Sequence, residues 1–144
     1  MKKKLILSEI QEIIKNKEFD KFFRNKETQT KYELEKPKAI IKLKKELNDL
    51  KIKKVRWAER INDYPYHFEE ELEHRVVWDL DSDDWEKTEK DWVRNYENKK
   101  LWNKDEYPIW WINPPHFRSI SDIPHIHLIR NKNVFKRGRE ENDW

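Results

Sequence analysis

Apolar residues at helical spacing mark the front of the chain. They recur three and four positions apart between Ile10 and Phe23, which predicts a helix over about residues 9–24. Ser8 and Gln11 stand three residues apart at its start, the spacing of a capping box. Residues 25–35 are polar throughout and are predicted to form a connection.

A second helix is predicted over about residues 38–53. Pro37 suits its first turn, because proline has no N–H to leave unsatisfied there. Its apolar residues repeat at spacings of three and four, as expected of one buried helical face: Ile40, Leu43, Leu47 and Leu50.

The rest of the chain alternates short strands with one helix. Runs of β-branched and aromatic residues predict strands over 75–80, 108–112 and 125–130. Asp81 or Ser82 is predicted to cap a helix over about 83–99, whose aromatic face belongs to the core: Trp85, Trp92 and Tyr96. This order predicts an α+β fold, with a small, partly antiparallel sheet packed with helices and two N-terminal helices leading.

Composition supports a folded domain in spite of high charge. Only 35% of the 144 residues are hydrophobic and 42% are charged, but eight Trp, five Tyr and six Phe can supply a core. Residues 1–56 carry 18 Lys and Arg against 9 Asp and Glu, whereas residues 57–144 carry 14 against 20. We therefore expect a basic helical region over 1–54 packed on an aromatic α+β core over 55–131, with a flexible tail over 132–144.

Several classes of protein are excluded or disfavoured by what the chain lacks. It has no cysteine, so disulfides, thiolate catalysis and iron–sulfur clusters are excluded. Its single glycine, Gly138, argues against a glycine-rich phosphate loop, so any phosphate must be held by side chains. No apolar run approaches the length of a membrane span, and the expected location is the cytoplasm.

Three of the five histidines fall within 21 residues, between Trp110 and Arg130. His125 and His127 stand two positions apart in a predicted strand and therefore share a face, while Ile126 and Leu128 point to the core. Three interpretations of this pair remain open. The first is a structural role, the second is a phosphate or anion site with acid–base function, and the third and weakest is a metal site with His116 or Asp122 as third ligand.

Arginines accompany these histidines. Arg118 follows the rigid Pro114-Pro115 pair, and Arg130 stands at a strand end where its side chain could reach the mouth of the sheet. Arginine suits bidentate contact with phosphate, although pairing with nearby aspartates is an equally good interpretation. The predicted pocket is built from these arginines and histidines together with Asn113, with an aromatic wall from Trp57, Trp110 or Trp111.

A second dense segment runs from Trp57 to Phe68. Trp57 and Tyr64 could stack on a base or sugar, and Arg60 could contact phosphate, but such a segment more commonly closes one end of a core. His67 and His74 flank a glutamate-rich run without a zinc-protease spacing.

Four motifs together resemble one known family. They are Trp57-Ala58-Glu59-Arg60, Glu73-His74-Arg75-Val76-Val77-Trp78, Trp111-Ile112-Asn113-Pro114 with Arg118-Ser119-Ile120, and Ile123-Pro124-His125-Ile126-His127. In order over about residues 55–131, they are similar to the N-acetylglucosamine-induced protein family of fungi and large DNA viruses, a domain of unknown function. The resemblance implies a shared fold, suggests an amino-sugar connection, and supplies no catalytic residues. The histidine pair also resembles the motif of histidine-triad nucleotide hydrolases, but Ile129 stands where the third histidine is required.

Two hypotheses of different class follow from the sequence. The leading one is a domain that binds a phosphorylated ligand (a nucleotide, sugar phosphate or nucleotide sugar), with histidine available for acid–base catalysis; whether it is an enzyme, and its cofactor, stay unassigned. The alternative is a non-enzymatic adaptor that binds a protein or, less favoured, a nucleic acid through the basic helix over 38–54. The adaptor predicts salt-sensitive binding through exposed lysines of that helix: Lys42, Lys44, Lys45, Lys51 and Lys53.

Overall fold

The computed structural model describes residues 3–98 and 102–133. It contains three helices and four strands in the following order: α1 (Leu7–Lys15), α2 (Lys26–Ile52), β1 (Trp57–Ile61), β2 (Leu72–Asp79), α3 (Trp85–Glu97), β3 (Ile109–Trp111) and β4 (His125–Asn131). The predicted α+β class, with two helices leading, is confirmed. Most of the predicted tail lies outside the described residues.

The strands form one sheet in the order β1-β2-β4-β3, and all three pairings are antiparallel. The sheet is thus antiparallel throughout and not only in part. Val76 lies opposite both Arg60 and His127, and Trp78 lies opposite both Ala58 and His125. These two rows of side chains cross the sheet on one face.

Helices cover both faces of the sheet. One face packs against α1 and α2 through two apolar clusters that include Ile10, Leu47 and Trp78. The other face packs against α3 through a cluster centred on Trp92, which is fully buried. Because β4 is covered on both faces, its first five residues are all buried, although histidines alternate with apolar residues at its start.

The first helix is shorter than predicted. It ends at Lys15, Lys17 adopts a left-handed conformation with φ of 55°, and the following phenylalanines belong to a separate 3₁₀ turn, Phe19–Lys21, and the chain after it. The apolar residues between Ile10 and Phe23 are thus divided between a helix and the chain that follows it. The helix begins two residues earlier than expected, with the Ile6 amide N–H donating to the Glu9 carboxylate at 3.0 Å, and Ser8 lies inside the helix.

The second helix is much longer than predicted. It starts at Lys26, where the Asn25 side chain accepts a hydrogen bond from the Thr28 amide at 2.7 Å. The prediction of a connection over 25–35 was therefore wrong, and Pro37 lies inside the helix, not in its first turn. The first half of α2 is polar because it covers a cavity instead of the apolar core, so it carried no apolar stripe to recognise.

Two further differences from the prediction concern strand β1 and the start of helix α3. Strand β1 was not predicted because Glu59 interrupts its apolar pattern, yet Glu59 is buried with a hydrogen bond from Trp102 Nε1 at 2.8 Å. Helix α3 is capped by Asp84, whose carboxylate accepts from two amides of the first turn, and not by Asp81 or Ser82.

The buried carboxylate of Asp79 links two separate parts of the chain. Asp79, which is fully buried, accepts two hydrogen bonds from the Arg56 guanidinium at 3.1 Å and one from the Thr88 hydroxyl at 2.7 Å. It thereby ties the chain before β1 to α3. In the described residues, no helix combines the length and apolarity needed to cross a membrane.

Candidate functional site

A cavity of about 590 Å³ lies between α2 and the sheet. Its floor consists of the two rows of the sheet described above and includes His125, His127, Val76 and Trp78. Its roof is the inner side of α2, which contributes polar and apolar side chains over four turns: Tyr32, Lys36, Ile40 and Leu43. The volume is in the range typical of small-molecule sites.

Two buried histidines form a hydrogen-bonded pair beneath the cavity. His74 Nε2 lies 2.8 Å from His127 Nδ1. The Tyr66 amide N–H donates to His74 Nδ1 at 3.2 Å, so His74 Nε2 carries the ring proton and donates to His127 Nδ1. His127 Nε2 lies 3.1 Å from the side-chain nitrogen of Asn113.

Burial keeps both of these rings neutral. It lowers the pKa of His74 to about 3, with a further contribution from the positive charge of Arg24. It also lowers the pKa of His127 well below its usual range, assisted by its two neighbouring histidines and by Arg24. The two rings are thus neutral and hydrogen-bonded to each other. Both nitrogens of His127 lie within hydrogen-bonding distance of a partner, His74 on one side and Asn113 on the other.

Asn113 is held in one orientation above the pair. Its side-chain oxygen accepts a hydrogen bond from Trp111 Nε1 at 2.9 Å, and its side-chain nitrogen lies 3.1 Å from His127 Nε2. The Trp111 ring also stacks on His127, with centroids 5.1 Å apart. Burial raises the pKa of the neighbouring Tyr66 hydroxyl, and a hydrogen bond with Asn113 and the charge of Arg24 oppose that rise.

His125 differs from the buried pair in its hydrogen bonding. Its Nδ1 lies 2.9 Å from the carbonyl oxygen of Ile123, which can only accept, so Nδ1 carries the proton and Nε2 keeps a lone pair. Within residues 3–98 and 102–133, no group donates to that lone pair. The ring is held between Trp78 and Trp85, at centroid distances of 4.2 and 5.3 Å. Burial lowers the pKa of His125 to about 4, against the effect of the Ile123 hydrogen bond.

Arg24 brings a positive charge to the wall of the cavity. Its Nε donates to the carbonyl oxygen of Tyr64 at 2.7 Å, and its guanidinium lies 4.1 Å from the ring centroid of Tyr32 and 5.2 Å from that of Tyr66. Among the residues that the structure describes, no carboxylate lies within ion-pair distance of it. The guanidinium also donates to the side-chain oxygen of Gln29 at 3.4 Å, so it is positioned by aromatic rings and neutral acceptors and not by an acidic partner.

Three carboxylates line the cavity: Glu35, Glu46 and Asp63. Glu46 of α2 forms an ion pair with Arg60 of β1, and Glu35 accepts a hydrogen bond from the Tyr64 hydroxyl at 2.9 Å. Lys36 lies 5.4 Å from the ring centroid of Tyr32, which Arg24 also contacts. With five Lys and Arg side chains against three Asp and Glu, the lining of the cavity is positive overall.

Four residues predicted for the pocket line this cavity: Asn113, Arg60, His125 and His127. The shared face of the two β4 histidines, opposite Ile126 and Leu128, is confirmed. Trp111 lies behind His127 and positions Asn113, as described above. The structure thus places in the cavity the two histidines that strand alternation predicted to share a face, His125 and His127.

The other predicted pocket residues lie elsewhere. Arg130 stays on the α3 face, where its Nε donates to Glu106 at 2.8 Å, and it does not reach the cavity. Trp57 packs on that face too, against Trp92 and Trp102, and Trp110 packs against Trp92.

His116 and Arg118, which follow Pro114-Pro115, also lie outside the cavity lining. His116 is exposed on the 3₁₀ turn Pro115–Phe117, next to the Phe117 ring. Arg118 donates to the Asn113 carbonyl oxygen at 2.8 Å and lies 3.6 Å from the Trp85 ring centroid.

No metal site is found in the described part of the chain, in the sense that no three or more His, Asp or Glu side chains are grouped to hold an ion. Asp122, a candidate third ligand, forms an ion pair with Lys44 at 3.1 Å.

Of the three arginines predicted from the sequence, Arg60 lines the cavity and Arg118 and Arg130 do not, and several cavity residues were not predicted. Arg24, Tyr32 and Tyr66 carry no local signal, because they reach the site only through the packing of α2 and of the loop after β1. His74 could have been found, since extending the predicted strand to Leu72 places it on the face of Val76 and Trp78.

The lysines assigned to the adaptor hypothesis have different surroundings. Lys42 lines the cavity and Lys44 pairs with Asp122, whereas Lys45, Lys51 and Lys53 are exposed. The adaptor hypothesis stays a prediction.

Residues 7–131 match the model of a family described as "Protein of unknown function (DUF3605)". The chain belongs to this family. The match runs from the start of α1 to the last residue of β4 and therefore includes every residue of the cavity floor and roof named above. A solved structure titled "Crystal Structure of HTC1" superimposes with a TM-score of 0.62 at 22% sequence identity, over 95% of this chain and 89% of that chain. At this identity, the likeness shows a shared fold. No curated protein matches the chain in sequence.

Proposed function

We propose that the cavity between α2 and the sheet binds a small phosphorylated ligand: a nucleotide, a sugar phosphate or a nucleotide sugar. The observation that carries the proposal is Arg24, a guanidinium in the cavity wall with no carboxylate in ion-pair distance among the described residues. A partly buried cation is unfavourable unless an anion compensates it. A bound phosphate supplies that anion and matches the planar donors of the guanidinium.

The surroundings of Arg24 favour an anion over a cation. Lys36 adds a second positive charge next to Tyr32, and the lining of the cavity carries five Lys and Arg side chains against three Asp and Glu. A positive region inside a protein whose aromatic body is acidic overall attracts anionic ligands.

Any acid–base step in this cavity falls to His125. Of the three histidines predicted to be catalytic, His116 lies outside the cavity and His127 has both ring nitrogens engaged. His125 alone lines the cavity with a nitrogen whose lone pair no described group uses. Its low pKa makes it a hydrogen-bond acceptor at neutral pH, and a bound anion would raise its basicity.

The resemblance to the N-acetylglucosamine-induced protein family supports a sugar phosphate or nucleotide sugar among the candidate ligands. Membership of that narrower group, a viral origin and a cytoplasmic location stay predictions from the sequence.

Thermal denaturation with phosphorylated compounds and their unphosphorylated counterparts tests the proposal. Glucose 6-phosphate and AMP are compared with glucose and adenosine, and inorganic phosphate is included. We expect a phosphorylated compound to raise the melting temperature of the wild type, since a ligand at 100 times its Kd stabilises by about 2.7 kcal/mol.

Arg24→Gln should weaken that binding at least about tenfold, the magnitude of a charged hydrogen bond. Arg94→Gln, at an exposed position of α3, is the matched control and should bind as the wild type does. The proposal fails if no phosphorylated compound stabilises the wild type, or if Arg24→Gln, with an unchanged circular dichroism spectrum, binds equally well.

A further inference from the structure

We propose that the phosphorylated ligand is a nucleotide, and that its base lies at the Trp78–His125 end of the cavity and donates an amino hydrogen to His125 Nε2. This inference rests on the function proposed above and narrows it. It follows from the change in polarity along the cavity and from the tautomer of His125, which leaves a lone pair on Nε2.

The two ends of the cavity differ in polarity. At one end, Arg24, Tyr66 and Asn113 surround the row of His127. At the other end, the row of His125 and Trp78 joins an apolar cluster with Ile120, onto which Ile40 and Leu43 of α2 pack. A ligand that fills the cavity therefore needs an anionic end and an apolar end.

The apolar end suits a flat ring. Phe117 also lines the cavity, and it is 39% exposed although it is large and apolar. Aromatic side chains of this kind stack on nucleic-acid bases. A sugar ring in the same place would put hydroxyl groups against Ile40, Leu43 and Val76, which offer them no hydrogen bonds.

His125 supplies one directional contact at this end. The Ile123 carbonyl oxygen fixes its tautomer, and Trp78 and Trp85 fix its ring, so Nε2 is a preorganised acceptor. The amino group of adenine or cytosine is a donor on the edge of a flat ring, as this acceptor requires. Discrimination is expected because a polar site rejects an analogue that leaves its acceptor unpaired.

The two ends are close enough for one mononucleotide. The His127 ring lies between them, 6.4 Å from the Tyr66 ring and 5.5 Å from the His125 ring. A nucleoside monophosphate carries its phosphate and its base on opposite sides of a ribose and can thus contact Arg24 and His125 together.

Isothermal titration calorimetry with matched nucleotides tests the inference. AMP and CMP are each compared with the analogue that lacks the amino group, purine riboside 5′-monophosphate and pyrimidin-2-one riboside 5′-monophosphate. Ribose 5-phosphate and glucose 6-phosphate report on the phosphate alone. We expect AMP or CMP to bind about tenfold more tightly than its analogue, the effect of one hydrogen bond, and ribose 5-phosphate to bind more weakly still.

His125→Phe keeps the ring between Trp78 and Trp85 but removes the acceptor. It should abolish the preference for the amino-bearing nucleotide and leave the analogue's affinity unchanged. The comparison on the wild type alone decides the question if the variant does not fold.

Each other outcome overturns a specific claim. Equal binding of the amino-bearing and des-amino nucleotides, or tighter binding of glucose 6-phosphate, overturns the nucleotide inference while Arg24-dependent binding upholds the proposed function. Absence of binding by every phosphorylated compound overturns both.

Discussion

Mild acid should destabilise this protein strongly, because three buried histidines are neutral when it is folded. Their pKa values lie at about 3 for His74, at about 4 for His125 and well below the usual range for His127. In the unfolded chain, each titrates near pH 6.5. The unfolded state therefore binds more protons below that pH, and the free energy of unfolding falls as the pH falls.

The size of the effect follows from the number of histidines. Between pH 7.5 and 5.5, each one lowers the free energy of unfolding by about 1.4 kcal/mol, so the three together remove about 4 kcal/mol. This is a large part of the 5–15 kcal/mol that is typical of a domain. Carboxylates whose pKa is lowered, such as Asp91 beside Arg56, lose their contribution only at still lower pH.

Urea denaturation followed by tryptophan fluorescence at the two pH values measures this loss. His125→Phe removes one of the three groups and should reduce the pH-dependent loss to about 3 kcal/mol. His116→Gln removes an exposed histidine and should leave it as in the wild type. A loss below about 1 kcal/mol in the wild type would show that these imidazoles are not buried in neutral form, and would refute the hydrogen-bonded pair beneath the cavity.

Two further substitutions test the fold around the site. Asp79→Ala should lower the free energy of unfolding by about 3 kcal/mol, because Arg56 and Thr88 lose their buried partner; chemical denaturation measures this, and an unchanged midpoint would contradict the contacts. Pro37→Ala should stabilise α2 by up to about 3 kcal/mol, because it restores the N–H donor to the carbonyl of Glu33. Circular dichroism should show higher helicity and a higher melting temperature. A lower melting temperature would indicate that the structure requires proline at this position.

Local periodicity was sufficient for much of the sheet. The β-branched and aromatic runs located β2, β3 and β4, and alternation along β4 placed His125 and His127 together on one face. These features depend on neighbours in the chain, so they are visible in the sequence.

The helices of the first half were harder to locate for a physical reason. α2 covers a cavity with its polar first half, so burial imposed no apolar repeat on residues 26–36. α1 ends early because the left-handed conformation of Lys17 turns the chain. The phenylalanines that follow keep a helix-like spacing because they pack into the same apolar cluster as α1.

The sequence by itself determined the α+β class, the aromatic core and the common face of the β4 histidines. Only the tertiary structure decided which charges serve the cavity. Arg130 is hydrogen-bonded to Glu106 on the opposite face of the sheet and does not reach the cavity. Arg24, which stands 42 positions before Tyr66 in the chain, contacts the Tyr66 ring in the cavity wall. The free energy of a charge depends on the partners and solvent around it, and those are set by long-range packing that no local pattern encodes.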